Sequence, residues 1–299
     1  MLHEPVALRA APTPWCNKVV SCGTLHGIVD DTLRLHEDNR AAWNEAAQAY
    51  AGRIDETVAS LRAGCSSLHP LERANLYDLA EWCECAIHLQ CASGRDTLSL
   101  WVEGARRVVG VDISDRHIEN ARRMAAALAA PAIFYRSDVL DAPHELDGTA
   151  DLVYSGRGAL CWLHEIDAWA RVVYRLLKPG GILHVLDDHP VSWLFDPDAD
   201  RLVPSGYDYF SSEVESSRGW PTSYLSLEIA DEQQSVKHER LWTLSQIHQA
   251  LVDAGLTIEL LGEHPESYWP SFLNLRDEVR RTVPNSFTII ARKPISGSQ

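Results

Sequence analysis

Between residues 86 and 186, short apolar runs alternate with segments of helical spacing, and this alternation restricts the fold more than any other feature of the chain. The apolar runs that we predict to be buried strands are 86–90, 107–112, 132–135, 151–155 and 182–186. The segments that we predict to be helices between them are about 96–103, 115–129 and 166–177. Strands and helices that alternate at this spacing build a parallel sheet covered on both faces. Ligands of such sheets bind beyond the carboxyl ends of the strands.

The N-terminal part of the chain precedes this alternation. Residues 1 to about 30 have no strong period, and we interpret them as an arm through which a homo-oligomer would form. The helical pattern that follows places Trp43 and Tyr50 on one face. We therefore assign residues 1–80 to an arm and helices that cover the domain after them.

Two later segments interrupt the regular pattern. Residues 190–238 and 265–283 are rich in aromatic and polar side chains. The stretches "WTLSQIHQALVDAGL" and "NSFTIIARK" outside them predict a helix and a strand again. We interpret residues 81–299 as one domain, on which the two insertions form a lid over the substrate.

The charge and cysteine content argue against several classes of function. The formal net charge is −15, and so acidic a surface repels phosphate backbones, which argues against a nucleic-acid partner. No apolar stretch reaches the roughly 18 residues of a membrane helix, and the N-terminus lacks a secretory signal, so we expect no membrane partner and a cytoplasmic location. The seven cysteines include no Cys-x-x-Cys pair, and we expect them to be reduced thiols rather than metal ligands.

The turn "QCASGRD", from Gln90 to Asp96, joins the first predicted strand to a helix, which is where α/β proteins hold phosphates. A dinucleotide site requires the pattern Gly-x-Gly-x-x-Gly, because the backbone must approach a pyrophosphate closely. This turn has no such pair of glycines, and Asp96 would place negative charge near the phosphates. A nicotinamide-dependent oxidoreductase is therefore disfavoured.

The same turn resembles the first motif of the class I S-adenosylmethionine-dependent methyltransferases, acidic-x-Gly-x-Gly-x-Gly. Gln90 stands at the acidic position, and the three glycine positions hold Ala92, Gly94 and Asp96. The stretches "RRVVGVDIS", "AIFYRSDVLDAP" and "VVYRLLKPGGILHVLDDHP" resemble the later motifs of the family in order and spacing. The resemblance covers roughly residues 80–190, and the C-terminal tail resembles the last helix and antiparallel strand pair of the family.

This resemblance implies a Rossmann-like, doubly wound α/β fold with a seven-stranded, mostly parallel sheet whose last strand is antiparallel. It implies S-adenosyl-L-methionine as cofactor, with Asp112 accepting hydrogen bonds from both ribose hydroxyls. Because Gln90 lacks the charge of the usual acidic residue, we expect cofactor affinity to fall by about 1–2 kcal/mol. The residues expected to bind the cofactor are Gln90, Cys91, Ala92, Ser93, Gly94, Asp112, Ile113, Ser137, Asp138, Val139, Ser155 and Tyr50.

Methyl transfer needs an acceptor held about 3 Å from the methyl carbon and, for some acceptors, a group that removes a proton. His189 follows the fifth predicted strand and is the first candidate for this base, with Asp188 as its partner or as an independent base. His164 and Glu165, after the fourth strand, are the second choice. Both choices have a plainer alternative, since His189 would cap the loop before Pro190 and Glu165 would complement a helix N-terminus.

The expected substrate-binding residues lie in loops over the site. Arg157 would pair with an acidic group of the substrate or with Asp188, and the sequence leaves both partners open. Aromatic side chains in the insertions suit a flat or apolar acceptor, and their faces also stabilise a sulfonium. The residues expected to bind substrate are Arg157, Trp193, Tyr207, Trp220 and Tyr268.

Together, these patterns predict a methyltransferase that acts at O, N or C of a small organic acceptor, with secondary metabolism as one setting. The alternative is a protein of the same fold that binds the cofactor but performs other chemistry, as a cyclase does, or has no catalytic role.

Overall fold

The computed structural model describes residues 25–221 and 224–295. Most of the predicted arm, and the oligomer contact expected through it, lie outside the described residues. From Leu25 onward the chain is helical, so the end of the predicted arm is the start of a long helix. No helix in the described ranges is long and apolar enough to cross a lipid bilayer.

Seven strands form one sheet at the centre of the molecule, and two more form a small separate sheet. In chain order, the nine strands of the described residues are β1 (Cys85–Leu89), β2 (Arg107–Asp112), β3 (Ala132–Arg136), β4 (Ala150–Gly156), β5 (Leu177–Asp188), β6 (Glu215–Ser217), β7 (Lys237–Glu239), β8 (Thr257–His264) and β9 (Ser286–Arg292). The sheet order is β3-β2-β1-β4-β5-β9-β8, and β6 pairs with β7 in a separate ribbon. β1 to β5 are parallel, whereas β9 is antiparallel to both neighbours. The predicted Rossmann-like fold class is confirmed, and its strand order reverses between β1 and β4, where such sheets bind ligands.

Helices cover both faces of this sheet. In chain order they are α1 (Leu25–Ala51), α2 (Ile54–Arg62), α3 (Pro70–Asn75), α4 (Leu79–Trp82), α5 (Arg95–Val102), α6 (Asp115–Leu128), α7 (Ile166–Leu176), α8 (Leu244–Asp253) and α9 (Asp277–Arg280). α5 and α6 pack on one face, with α1 and α2 against α6, and α7 and α8 pack on the other. α8 begins at a capping box in which Thr243 and Gln246 satisfy each other's backbone N–H groups.

β1 shows how the sequence builds two cores at once. Successive side chains of a strand point to opposite faces, and every residue of this strand is buried. Ile87 and Leu89 belong to the apolar cluster that contains Trp169 of α7, whereas Ala86 packs with Leu100 of α5. A strand buried on both faces needs a continuous apolar run, which is why this segment is legible in the sequence.

β5 begins five residues before the predicted strand at residue 182, because the segment after α7 is already extended. The pairing of β5 with β4 shifts register between Ala150 and Leu152. A Cβ on Gly181 would lie only 2.8 Å from the carbonyl oxygen of Ala150, so this close approach requires glycine. The "PGG" sequence therefore does more than end the helix, because its glycine lets β5 pack closely beside β4.

Candidate functional site

A cavity of about 550 Å³ lies at the carboxyl ends of the strands. One part, the turn half, is lined by the end of β1 and the turn after it, the end of β2 and the loop after β3, at residues 88, 90–96, 112–113 and 138–139. The other part, the insertion half, is lined by Cys161, Trp162, Asp188 and side chains between residues 192 and 272. Side chains of α1 line the cavity as well.

The turn after β1 is held open by its backbone conformation and by one carboxylate. Gln90, Ala92 and Gly94 have φ values of 57°, 43° and 79°, which is the left-handed region. A Cβ on Gly94 would lie 2.8 Å from both Ala121 and Phe134, so this glycine position of the motif cannot take another residue without repacking. Cys91 and Ser93, also predicted cofactor contacts, line the cavity from the same turn.

Asp112 ends β2 and faces the turn. Its carboxylate accepts hydrogen bonds from the N–H groups of Ala92 at 2.7 Å and Ser114 at 2.8 Å, one on each oxygen. Burial raises the pKa of the Asp112 carboxyl to about 6. The group is therefore mainly ionised at neutral pH, and each oxygen keeps a lone pair for a ribose hydroxyl.

Gln90 has one satisfied and one unsatisfied end. Its Nε2 donates to the carbonyl oxygen of Ala159 at 2.7 Å, which joins the turn to the loop after β4. Its Oε1 is buried and has no partner among the described residues. Since Gln90 lines the cavity, this oxygen is an acceptor that fits the α-ammonium group of S-adenosylmethionine.

Asp138 and Val139 line the turn half, where the adenine was expected. The Asp138 carboxylate accepts from the N–H of Leu140 at 2.9 Å and bonds the Nδ1 of His36 at 2.5 Å. Ile113 also lines this half. The sequence analysis missed His36, because nothing local marks a histidine of α1 as the neighbour of a loop that follows β3.

Two predicted cofactor residues lie away from the cavity. Ser137 donates its hydroxyl to the carbonyl oxygen of Asp141 at 2.9 Å and is not part of the lining. Ser155 is fully buried within β4 and does not line the cavity either. Tyr50 does line it, and its hydroxyl lies 2.9 Å from that of Tyr224 in the first insertion.

Arg157 pairs with Asp96, and neither is free to bind a substrate charge. The two form an ion pair in which the guanidinium has only 12% of its side-chain surface exposed, with Glu72 at 3.9 Å. Although burial opposes ionisation, Arg157 holds the pKa of the Asp96 carboxyl well below its usual range. The sequence left Asp188 and an acidic substrate group open as partners of Arg157, whereas in the structure its partner is Asp96. The same pair neutralises the extra charge that Asp96 brings to the motif.

Asp187 and Asp188 end β5 and have different surroundings. Asp187 accepts from the N–H groups of Gly158 at 2.6 Å and Leu160 at 2.9 Å and so fixes the loop after β4. Asp188 lines the cavity and accepts a hydrogen bond from Trp269 Nε1 at 3.0 Å, and the Tyr268 hydroxyl lies beside the two carboxylates. Burial and the neighbouring Asp187 charge raise the pKa of Asp188 above its usual range. A carboxylate with a raised pKa is a stronger base and is suited to accept a proton.

His189 does not reach the cavity. It is buried, its Nε2 lies 2.8 Å from the Glu263 carboxylate, and its Nδ1 accepts from the N–H of Val191 at 3.1 Å. The local hydrogen bond is the loop cap that was the plainer alternative in the sequence. With both ring nitrogens engaged outside the cavity, the position argues against His189 as the base.

The second pair of predicted bases is also outside the lining. His164 is buried against His36, with ring centroids 5.3 Å apart, and burial lowers its pKa to about 3. Glu165 is the residue before α7 and makes no side-chain cap to it. The structure thus brings Asp188, alone among the four predicted catalytic residues, to the cavity wall.

The insertion half is built mainly from aromatic side chains. Trp193, Tyr207, Trp220 and Tyr268, all predicted to bind substrate, line it. The lining residues that the sequence analysis did not assign to the site include Trp162, Tyr224, Lys237 and Glu239. The one signal for the last two was their i, i+2 spacing, which puts them on one face of β7.

Comparison with known proteins identifies the domain. Residues 86–181 match the family model described as a methyltransferase domain. No curated protein matches the sequence significantly. The fold is similar to an S-adenosylmethionine-dependent methyltransferase from Mesorhizobium loti, with TM-score 0.51 and 23% identity over 75% of this chain and 96% of that one.

Two further solved structures share the fold. A methyltransferase from Methanosarcina mazei has TM-score 0.53 and 18% identity, covering 77% of this chain and 99% of that one. The cyclase SpnF has TM-score 0.51 and 18% identity, covering 85% and 97%. The family match runs from β1 into β5, and the whole domain has the fold of solved S-adenosylmethionine-dependent methyltransferases.

Proposed function

We propose that the protein transfers a methyl group from S-adenosylmethionine to a small organic acceptor held in the insertion half of the cavity. The observation that carries this proposal is the position of Asp188, whose carboxylate lines the same cavity as Asp112 and Gln90. The cofactor residues and a group able to take a proton therefore share one cavity.

In this proposal the turn half holds the cofactor. Asp112 accepts from the ribose hydroxyls, and Gln90 Oε1 accepts from the α-ammonium group. Asp138 and the backbone at Val139 hold the adenine, with His36 fixing the orientation of the Asp138 carboxylate. When bound, the cofactor supplies a methyl group already activated by its sulfonium.

The residues of the chain then orient the acceptor and remove a proton from it. Aromatic walls from both insertions orient a small apolar or flat acceptor and exclude water. Asp188 takes a proton from the acceptor as the new bond forms. Asp187 is a positioning residue, because it fixes the loop after β4 against the end of β5.

The size of the cavity supports a small acceptor over a macromolecule. About 550 Å³ is in the range of small-molecule sites, and the cofactor would occupy part of it. The first insertion and α1 approach each other over the cavity through the hydroxyls of Tyr50 and Tyr224. We infer that the two insertions act as a lid on the site.

The test has two stages. Calorimetric titration of the full chain with S-adenosylhomocysteine and with NADH should give binding of the first only. A panel of small amines, phenols and carboxylates is then incubated with methyl-labelled S-adenosylmethionine, and label transfer to one of them with release of S-adenosylhomocysteine is expected. Conversion of an acceptor without label transfer would favour the cyclase-like alternative.

A further inference from the structure

The insertion half contains a carboxylate that has no cationic partner. The hydrogen-bond donors beside Asp188 are neutral, the Trp269 indole and the Tyr268 hydroxyl, and no ion pair to it exists within residues 25–221 and 224–295. Among the described residues lining this half, Lys237 is the only cation. Its Nζ lies 2.9 Å from the Glu239 carboxylate and 2.6 Å from the Ser217 hydroxyl, so Lys237 is already neutralised.

The other ionisable groups of this half do not change the charge. Burial raises the pKa of the Cys161 thiol and of the Tyr224 and Tyr268 hydroxyls well above their usual range. Burial also raises the pKa of Tyr207 to about 12. With Lys237 paired to Glu239, the ionised Asp188 carboxylate has no counterion in this half, and a bound cation would favour its ionised form.

The walls of this half are suited to a cation. The ammonium of Lys237 lies 5.4 Å from the ring centroid of Trp220 and 5.8 Å from that of Trp162. Trp220 also contacts Tyr224, with ring centroids 6.0 Å apart. Aromatic faces that already solvate one ammonium favour a second one over an anion.

We propose that the methyl acceptor is a small amine that binds as its ammonium ion, between the Asp188 carboxylate and the tryptophan faces of the insertion half. This inference rests on the proposed function and narrows it from O, N or C acceptors to N. The alkylammonium donates a hydrogen bond to Asp188 and supplies the positive countercharge that this carboxylate lacks. An anionic acceptor would meet an uncompensated like charge in a desolvated pocket.

The transfer step balances with these groups alone. The ammonium gives one proton to the Asp188 carboxylate, and the nitrogen lone pair forms the bond to the methyl carbon. The bond from that carbon to sulfur breaks, and its electron pair stays on the sulfur. The products are an N-methylammonium ion and the thioether S-adenosylhomocysteine, and Asp188 returns its proton to water.

The test is a binding measurement on the full chain saturated with S-adenosylhomocysteine. Three probes share one aromatic body and differ in charge: phenethylamine, 2-phenylethanol and 3-phenylpropionate. By calorimetric titration at neutral pH, the amine should bind about tenfold or more tighter than the alcohol, and the acid should bind weakest. In Asp188→Asn the amine and the alcohol should bind within about twofold of each other.

A matched control is Asp208→Asn, which changes an exposed aspartate of the same insertion and should keep the preference for the amine. Glu239→Gln leaves Lys237 without its countercharge and should weaken amine binding without touching Asp188. Equal or tighter binding of the alcohol or the acid would overturn the inference. Absence of amine binding up to about 1 mM, or a preference that survives in Asp188→Asn, would overturn it too.

Failure of the two proposals can be told apart. If S-adenosylhomocysteine does not bind to the chain, the proposed function itself fails. If S-adenosylhomocysteine binds and the neutral alcohol is preferred over the amine, only the choice of acceptor is wrong.

Discussion

The two halves of the cavity are built in different ways. In the turn half, polar groups are fixed by backbone atoms of the sheet, as when Asp112 accepts from Ala92 and Ser114. In the insertion half, the walls are aromatic rings carried by long connections, such as Trp193 and Trp220. Strand ends place atoms rigidly, whereas loops tolerate change, so the first half suits a fixed cofactor and the second a variable acceptor.

The largest effect on turnover is expected from substitution of Asp188, which ends β5 and lines the insertion half. Asp188→Asn should lower kcat by about 100-fold or more, because the amide cannot take a proton. The affinity for S-adenosylhomocysteine should stay within about twofold. Turnover is followed by release of S-adenosylhomocysteine.

His189→Asn is the matched control for that variant, since an asparagine oxygen can replace the cap to the N–H of Val191. It should leave kcat within about twofold. A fall in kcat as large as that of Asp188→Asn would assign the base to His189 instead.

The next largest effect lies in the turn half. Asp112→Ala should weaken S-adenosylmethionine binding at least about tenfold, because two charge-assisted hydrogen bonds are lost and the N–H groups of Ala92 and Ser114 lose their acceptor. Calorimetry measures the loss, with Asp141→Ala, at an exposed position outside the cavity, as control. Wild-type affinity in Asp112→Ala would contradict the assignment of the turn half to the cofactor.

The pH dependence of cofactor binding reports on the same carboxylate. The pKa of Asp112 in the free protein is raised to about 6, and ribose hydroxyls bind its ionised form, so affinity should fall as pH drops below about 6. The fall is at most about tenfold per pH unit. Titrations between pH 5 and pH 8, roughly spanning this pKa, should show it in the wild type and not in Asp112→Asn. A flat profile in the wild type would mean that Asp112 does not contact the cofactor.

A smaller effect is expected at the departure from the family motif. Gln90→Leu removes the free Oε1 acceptor and leaves the Ala159 carbonyl without its donor. Cofactor affinity should fall about fivefold, or about 1 kcal/mol. Gln90→Glu is the informative comparison, because its carboxylate would face that carbonyl and should not improve affinity despite the restored charge. A large gain from Gln90→Glu would contradict this orientation.

The smallest effect concerns the contact between the first insertion and α1. Tyr50→Phe removes one hydrogen bond to Tyr224, so KM for the acceptor should rise about two- to fivefold with kcat nearly unchanged. Tyr135→Phe, which removes a bond to exposed Glu145 outside the cavity, is the control. Equal KM values in both variants would show that the contact does not close the site.

Much of the turn half was predictable, because its residues follow strands and the strands are visible as apolar runs. The predicted strand at 107–112 matches β2, and Asp112 is where the motif placed it. Ser137 and Ser155 were assigned by position in a motif, yet Ser137 bonds its own loop and Ser155 is buried within β4. A motif gives the place of a residue along the chain, but the direction of its side chain depends on local backbone and packing.

Asp188 and His189, at the end of β5, illustrate the same limit of the sequence. Adjacent positions at a strand end point to opposite sides, so the sequence could not tell whether Asp188 or His189 faces the ligand. The last strand pair decides it, because His189 hydrogen-bonds to Glu263 of β8 and so faces away from the cavity.

The sequence by itself determined the parallel sheet, its helices and the turn that resembles a methyltransferase motif, because hydrophobic period and glycine placement are local properties. Only the tertiary structure decided which distant groups meet: His36 with Asp138, which are 102 positions apart, and Arg157 with Asp96. These pairings depend on the paths of loops and on how helices pack over the sheet, and no local pattern carries that information.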